Sequence, residues 1–196
     1  MMSMREDGAE LDKIILTKDE SFVPKGVGPN ETVYKPAKLT QKNTYLDIDN
    51  YRYLLNSADH FEYQGLGEGS YYRDNKQSVL AIAASNVPLK HEFVSAKYQI
   101  TKKKAKEFSV KLVTLTEING ESEYRVLIND KLIGEFKNPK TKVNHKEIIF
   151  DLGLIKFEQG DVITVQSNSA TNGNVSEGGK RIFSSGKWRG LVLQHP

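Results

Sequence analysis

Residues 116–122, Thr-Glu-Ile-Asn-Gly-Glu-Ser, carry the spacing in this 196-residue chain that comes nearest to catalysis. Glu117, Asn119 and Glu121 stand at i, i+2 and i+4, which on a flat strand puts all three on one face. Paired carboxylates about 5–5.5 Å apart can serve as nucleophile and acid/base on a glycosidic bond. Two features count against that chemistry. The middle group is an amide, and Asn119-Gly120 is the strongest hairpin signal in the sequence. A turn at 119–120 takes the two glutamates off their common face, so the segment is predicted to be a hairpin.

The second constellation surrounds the single tryptophan. Trp188 lies in Ser-Ser-Gly-Lys-Trp-Arg-Gly (184–190), at the mouth of the last apolar run. On an ideal strand Leu191 and Leu193 share one face and Trp188 has the opposite parity. With the leucines inward, the indole is expected at the rim, beside Arg189, where a flat ligand can lie on it. A bulge in Gly-Lys-Trp-Arg-Gly would reverse the register and bury the ring. The long polar stretch 167–179 feeds into Trp188 and carries Asn172. Loops of that length inside a compact domain are usually functional or disordered. Amides beside an indole suit sugar recognition: the ring covers the apolar face of a pyranose and planar polar groups take its hydroxyls.

Residues 65–75 form a glycine-spaced segment ending in Tyr71, Tyr72, Arg73 and Asp74. No helix is expected after it, which excludes a dinucleotide fingerprint. It reads as a rim loop, and because strand neighbours point oppositely, only one of the two tyrosines can reach a ligand. Ser-Ser-Gly-Lys-Trp is no phosphate loop, since Trp188 stands where Ser or Thr must ligate magnesium. The four histidines, His60, His91, His145 and His195, show no zinc-type spacing. Thr-Lys-Lys-Lys-Ala-Lys-Glu (101–107) is a basic turn, read first as solvated and second as an attraction for sulfated or uronic polysaccharide.

The elements that must hold these residues are strands. Runs rich in β-branched and aromatic residues recur from about residue 44, at 78–85, 95–100, 107–116, 124–130, 132–136, 146–150, 161–167 and 187–193, separated by Gly, Asn, Asp and Lys turns. Asn129-Asp130 suits a tight hairpin needing positive φ. Helix is expected only within 47–61. Many strands without βαβ alternation predict an all-β antiparallel sandwich of jelly-roll type. Residues 1–42 differ: one strand-like run, Leu11 to Leu16, precedes a proline- and glycine-rich linker, so 1–42 reads as an extended tail and 43–196 as the domain.

Composition narrows the partners. Net charge is +3, from 28 basic and 25 acidic residues, too balanced to argue for nucleic acid. No run approaches the roughly 20 apolar residues of a membrane span. The absence of cysteine excludes disulfides and thiolate chemistry. All three methionines fall in the first four residues, and that start reads as an end grafted onto a fragment.

Residues 58–75, 114–139 and 165–193 together resemble the carbohydrate-binding modules of galactose-binding-like β-sandwich type found on secreted bacterial polysaccharide-degrading enzymes, agarases among them. Separately, the strand around Glu117 is similar to a Glu-Ile-Asp-x-x-Glu strand of jelly-roll β-glucanases, with Asn119 in place of the aspartate. The module resemblance implies non-catalytic binding of a polysaccharide, an agar-type galactan first, by a secreted or cell-surface monomer that targets an attached hydrolase. It assigns the aromatic platform to Trp188 with Tyr71 or Tyr72, and the polar partners to Arg189, Arg73 and Asn172. No cofactor is implied for sugar binding. A structural calcium is implied for many such modules. Ala58-Asp59-His60-Phe61 resembles a segment that supplies calcium ligands, but the acidic partner expected near the C-terminus is missing. The rival readings are a small glycosidase using Glu117 and Glu121 and a structural adhesin-type spacer.

Overall fold

A computed structural model describes residues 53–65, 70–84, 92–174 and 179–196, with Ser21 and Val23. Apart from those last two, all belong to one compact unit, residues 39–196. The run Leu11 to Leu16, the proposed boundary at 42/43 and His91 lie outside the described residues.

The chain forms β1 (Leu54–Asn56), α1 (Ser57–His60), β2 (Glu62–Tyr63), β3 (Tyr71–Asp74), β4 (Val79–Ile82), β5 (Val94–Gln99), β6 (Glu107–Leu115), β7 (Glu123–Ile128), β8 (Lys131–Lys137), β9 (Glu147–Lys156), β10 (Val162–Ser167) and β11 (Trp188–Gln194). They make two sheets. One runs β3-β4-β11-β6-β9, with β1 also paired to β11; the other runs β2-β5-β10-β7-β8. Every pairing is antiparallel. Among the described strands, β3–β4 and β7–β8 are the hairpins joining neighbours in one sheet; the other consecutive strands alternate between sheets, as in a jelly roll. The expected antiparallel sandwich is the fold.

Alternation explains the core. Phe108, Val110 and Leu112 of β6 point inward, as their parity predicts, and meet Tyr124, Val126, Ile163 and Val165 of the facing sheet. Val113 and Leu115 have the opposite parity and are also fully buried, as are Val79 and Ala81 of β4. The first sheet is therefore covered on both faces across its middle strands.

Turn chemistry divides two ways. Asn129 and Asp130 take φ of 49° and 62° between β7 and β8, the two-residue hairpin expected of them. Asn119-Gly120 is not a hairpin: it lies on the crossover from β6 to β7, which sit in different sheets. Its glycine answers to close approach, since a Cβ at Gly120 would stand 2.2 Å from the Ala170 carbonyl oxygen. Of the helix expected within 47–61, the described residues 53–61 hold the single turn of α1, capped by Asn56 Oδ1, which accepts from the backbone N–H groups of Ala58 and Asp59; residues 47–52 lie outside the described residues.

Candidate functional site

The structure does not bring the sequence-predicted site residues together on a rim. Trp188 is fully buried. The reason is the bulge that the glycine-flanked segment allows. Trp188 pairs with Thr114 while Gly190 pairs with Val113, so Arg189 is an extra residue and the parity before it is reversed. Leu191, Leu193 and Trp188 consequently share the core. The indole stands edge-on to Phe61 at 4.9 Å and to Tyr71 at 6.3 Å.

Tyr71 is core as well, at 1% exposure, whereas Tyr72 is 43% exposed. The strand alternation does leave one tyrosine of the pair outside. Burial pushes the Tyr71 hydroxyl well above the usual phenol range; a 2.8 Å hydrogen bond with Ser167 Oγ opposes this. The Trp188 indole N–H also acts on that hydroxyl but stays outside hydrogen-bond geometry, so it has no partner among the described residues.

The polar residues of the predicted site are held by the fold. Arg189 donates to Glu147 Oε1 at 2.6 Å and to the Gln77 carbonyl at 2.7 Å. Arg73 pairs with Asp59 at 2.6 Å and donates to Asn75 Oδ1. Asn172 is exposed, but its Nδ2 donates to the Ile118 carbonyl at 2.6 Å, tying two loops. It lines a small hollow of about 330 Å³ with Lys140 and Lys142. Asp59 also bears on calcium. Its carboxylate is engaged by Arg73, and among the described residues no group of three His, Asp or Glu side chains gathers around it.

The glutamate pair does not form a catalytic face. Residues 116–122 leave the sheet, which removes the i, i+2, i+4 alignment. Glu117 folds back onto the loop before β11 and accepts from Ser185 N–H at 2.8 Å. Burial raises its pKa, against the opposing pull of Ser185 N–H and the Lys187 ammonium. A carboxyl with a raised folded-state pKa binds its proton more tightly when folded. Stability therefore falls as pH rises from the unfolded value through the folded one, then levels off. Glu117→Gln keeps an acceptor for Ser185 N–H and removes the buried charge. It is expected to melt higher than wild type at pH 7, with the gap closing near pH 4; an equal or lower melting temperature at pH 7 would refute this.

A concave surface forms elsewhere. A groove of about 670 Å³ runs along the pairing of β2 with β5. Register sets its polar edge, placing Glu62 opposite Lys97. Tyr63 and Phe93 supply rings, and Glu92, Gln64 and Ser95 supply polar groups. Tyr63 stands edge-on to Tyr71 at 6.3 Å, which braces it against the core. The Arg125 guanidinium lies 3.9 Å from the Phe93 ring centroid and is itself held by Glu135 at 2.6 Å, so one face of Phe93 is fixed. Sequence reasoning missed Tyr63 and Phe93. Their signal was faint: each follows a glutamate and stands near polar residues, in Phe-Glu-Tyr-Gln (61–64) and His-Glu-Phe-Val-Ser (91–95).

No family model matches the chain. It is 28% identical, over 203 aligned residues, to uncharacterized protein P23 of Formosa agariphila. The alignment takes in 97% of this chain and 45% of that protein, so the chain spans less than half the length of the curated relative it matches.

Proposed function

We propose that this chain is a non-catalytic polysaccharide-binding module whose glycan site is the groove along β2 and β5. The observation that carries the reading is the pairing of two braced aromatic rings, Tyr63 and Phe93, with carboxylate, amide and hydroxyl groups in one concavity. Rings offer the apolar face that a pyranose needs, and Glu62, Glu92 and Gln64 offer planar acceptors for its hydroxyls. The loss of the Glu117–Glu121 face weighs against the glycosidase reading. The resemblance of residues 58–75, 114–139 and 165–193 to modules of secreted agarase-like enzymes supports a neutral galactan of agar type as ligand, an attached hydrolase as partner and an extracellular setting.

The test is affinity electrophoresis of the full chain through gels containing neutral galactans. Wild type should be retarded and should release no reducing sugar. Tyr63→Ala and Phe93→Ala should each weaken binding by about 1–2 kcal/mol, roughly five- to thirtyfold. Arg125 keeps Glu135 in the second variant, so the fold should hold. If both variants bind as wild type does and Tyr72→Ala does not, the platform is the exposed outer tyrosine and the groove assignment fails.

A further inference from the structure

The basic turn at 101–107 has no place in the groove. It lies at a second concavity, a cleft of about 350 Å³. Lys103, Lys104 and Lys106 line it, together with His60 from α1 and His195 from beyond β11. No aspartate or glutamate is among its lining residues. None of the three lysines has an ion pair or a side-chain hydrogen bond with a described residue, whereas the five ion pairs of the described structure all lie elsewhere. Like charges gathered without counter-charge repel one another, and a chain of net charge only +3 has 25 acidic residues from which a partner could have come.

The cleft is also built rather than merely solvated. Lys104 is half-buried. Backbone bonds fix the turn, from Lys104 N–H to the Thr101 carbonyl at 2.8 Å and from Phe157 N–H to the Lys106 carbonyl at 3.1 Å. Phe108 backs the site, with the His195 ring 4.9 Å away at 33° and Lys106 Nζ 5.8 Å above its centroid. His60 donates its Nδ1 proton to the Asn56 carbonyl at 3.2 Å, which leaves Nε2 as its second polar atom.

We infer that this cleft binds the anionic substituents, sulfate ester or uronate carboxylate, of a polysaccharide chain whose neutral sugars occupy the groove. The lysine ammonium groups meet the anion, and the exposed His195 ring, backed by Phe108, meets the sugar that bears it. The two concavities are joined by one short segment: His60 lines the cleft and Glu62 the groove, two residues apart, or about 7 Å of extended backbone. In this proposal one glycan chain runs along that segment from the cleft to the groove. Their charge balance differs: Glu62 and Glu92 outnumber Lys97 along the groove, whereas lysines line the cleft with no carboxylate beside them, so charged and neutral units are sorted between the two sites. This inference rests on the polysaccharide reading, and its test separates the two.

The experiment runs the full chain through gels containing a sulfated galactan, polygalacturonate or unsubstituted agarose, at low and raised salt. Wild type should be retarded by at least one anionic polymer, more weakly as salt rises. The stronger arm identifies sulfate or carboxylate. Each of Lys103→Ala, Lys104→Ala and Lys106→Ala should weaken anionic binding about fivefold at low salt. The triple variant should abolish it and leave agarose binding intact. Lys104→Arg, which keeps the charge, should retain most of the affinity. Lys102→Ala/Lys131→Ala/Lys156→Ala, with the same change in net charge outside the cleft, should bind as wild type does. The inference is overturned if neither anionic polymer retards the wild type, if the control triple loses as much as the cleft triple, or if duplex DNA is held as tightly as the polysaccharide. Loss of agarose binding alone would count against the groove and leave the cleft standing.

Discussion

Trp188→Ala should cost about 3–5 kcal/mol of stability, the range for emptying a buried indole. The glycan affinity of the protein that remains folded should be unchanged. The ring is fully buried, packs edge-on against Phe61 at 4.9 Å, and belongs to the cluster that joins both sheets. Its backbone is tied as well: the Trp188 carbonyl accepts from Ser57 Oγ at 2.7 Å, and Ser57 Oγ in turn accepts from Leu80 N–H at 2.9 Å. Against a typical total of about 5–15 kcal/mol, the loss is large enough to read from a single denaturant titration. Fluorescence reports the same placement directly. Emission should peak in the blue and stay there when any polysaccharide is added. A red maximum that moves to the blue on glycan addition would return the indole to a rim platform.

The contrast between β6 and β11 shows what the sequence made legible. Along β6 the alternation is unbroken on that strand, so Phe108, Val110 and Leu112 could be assigned to the core from parity alone. Asn129-Asp130 was readable because its turn needs two residues at positive φ. In β11 one extra residue cancels the same parity rule, and whether Gly-Lys-Trp-Arg-Gly bulges is decided by the neighbours β1, β4 and β6, not by the segment itself. Gly120 misled for a related reason. A glycine that relieves contact with a distant carbonyl has the same letter as one that makes a turn.

The candidate site was less legible than the fold. Arg73 and Arg189 looked available for a ligand because their partners, Asp59 and Glu147, are 14 and 42 residues away in the chain. Tyr63 and Phe93 reach one groove only because β2 pairs with β5, a contact that no local pattern announces. The basic turn was visible as a cluster, but its histidines come from α1 and from the end of β11. Composition showed the charges; pairing decided which of them face each other.

The bulge that buries Trp188 should depend on Gly190, and Gly190→Ala is expected to cost about 3 kcal/mol or more. Its φ is 151°, and a Cβ there would stand 2.0 Å from the Leu55 carbonyl oxygen and 2.9 Å from the Leu55 carbonyl carbon. Those atoms are backbone, so no rotamer change relieves the clash. Gly153 supplies the comparison: at φ 79° it is also in the left-handed region, but nothing lies within 4 Å of a Cβ built there. Gly153→Ala should therefore show the conformational cost alone, about 1–2 kcal/mol, and the difference between the two variants isolates the steric part. The clash at Gly190 has two ways out. Either the three-residue strand β1 lifts off β11, or β11 gives up its extra residue and turns Trp188 to the outer face. Lifting β1 disturbs the Asn56 cap and the Ser57 bridge, but exposing the indole forfeits the whole cluster contact, so the first route should win. Gly190→Ala should then unfold at lower denaturant than Gly153→Ala with its emission still blue. Equal stability for the two variants would mean that β1 does not hold the bulge. A red-shifted folded state would mean that β11 had recovered the unbulged register.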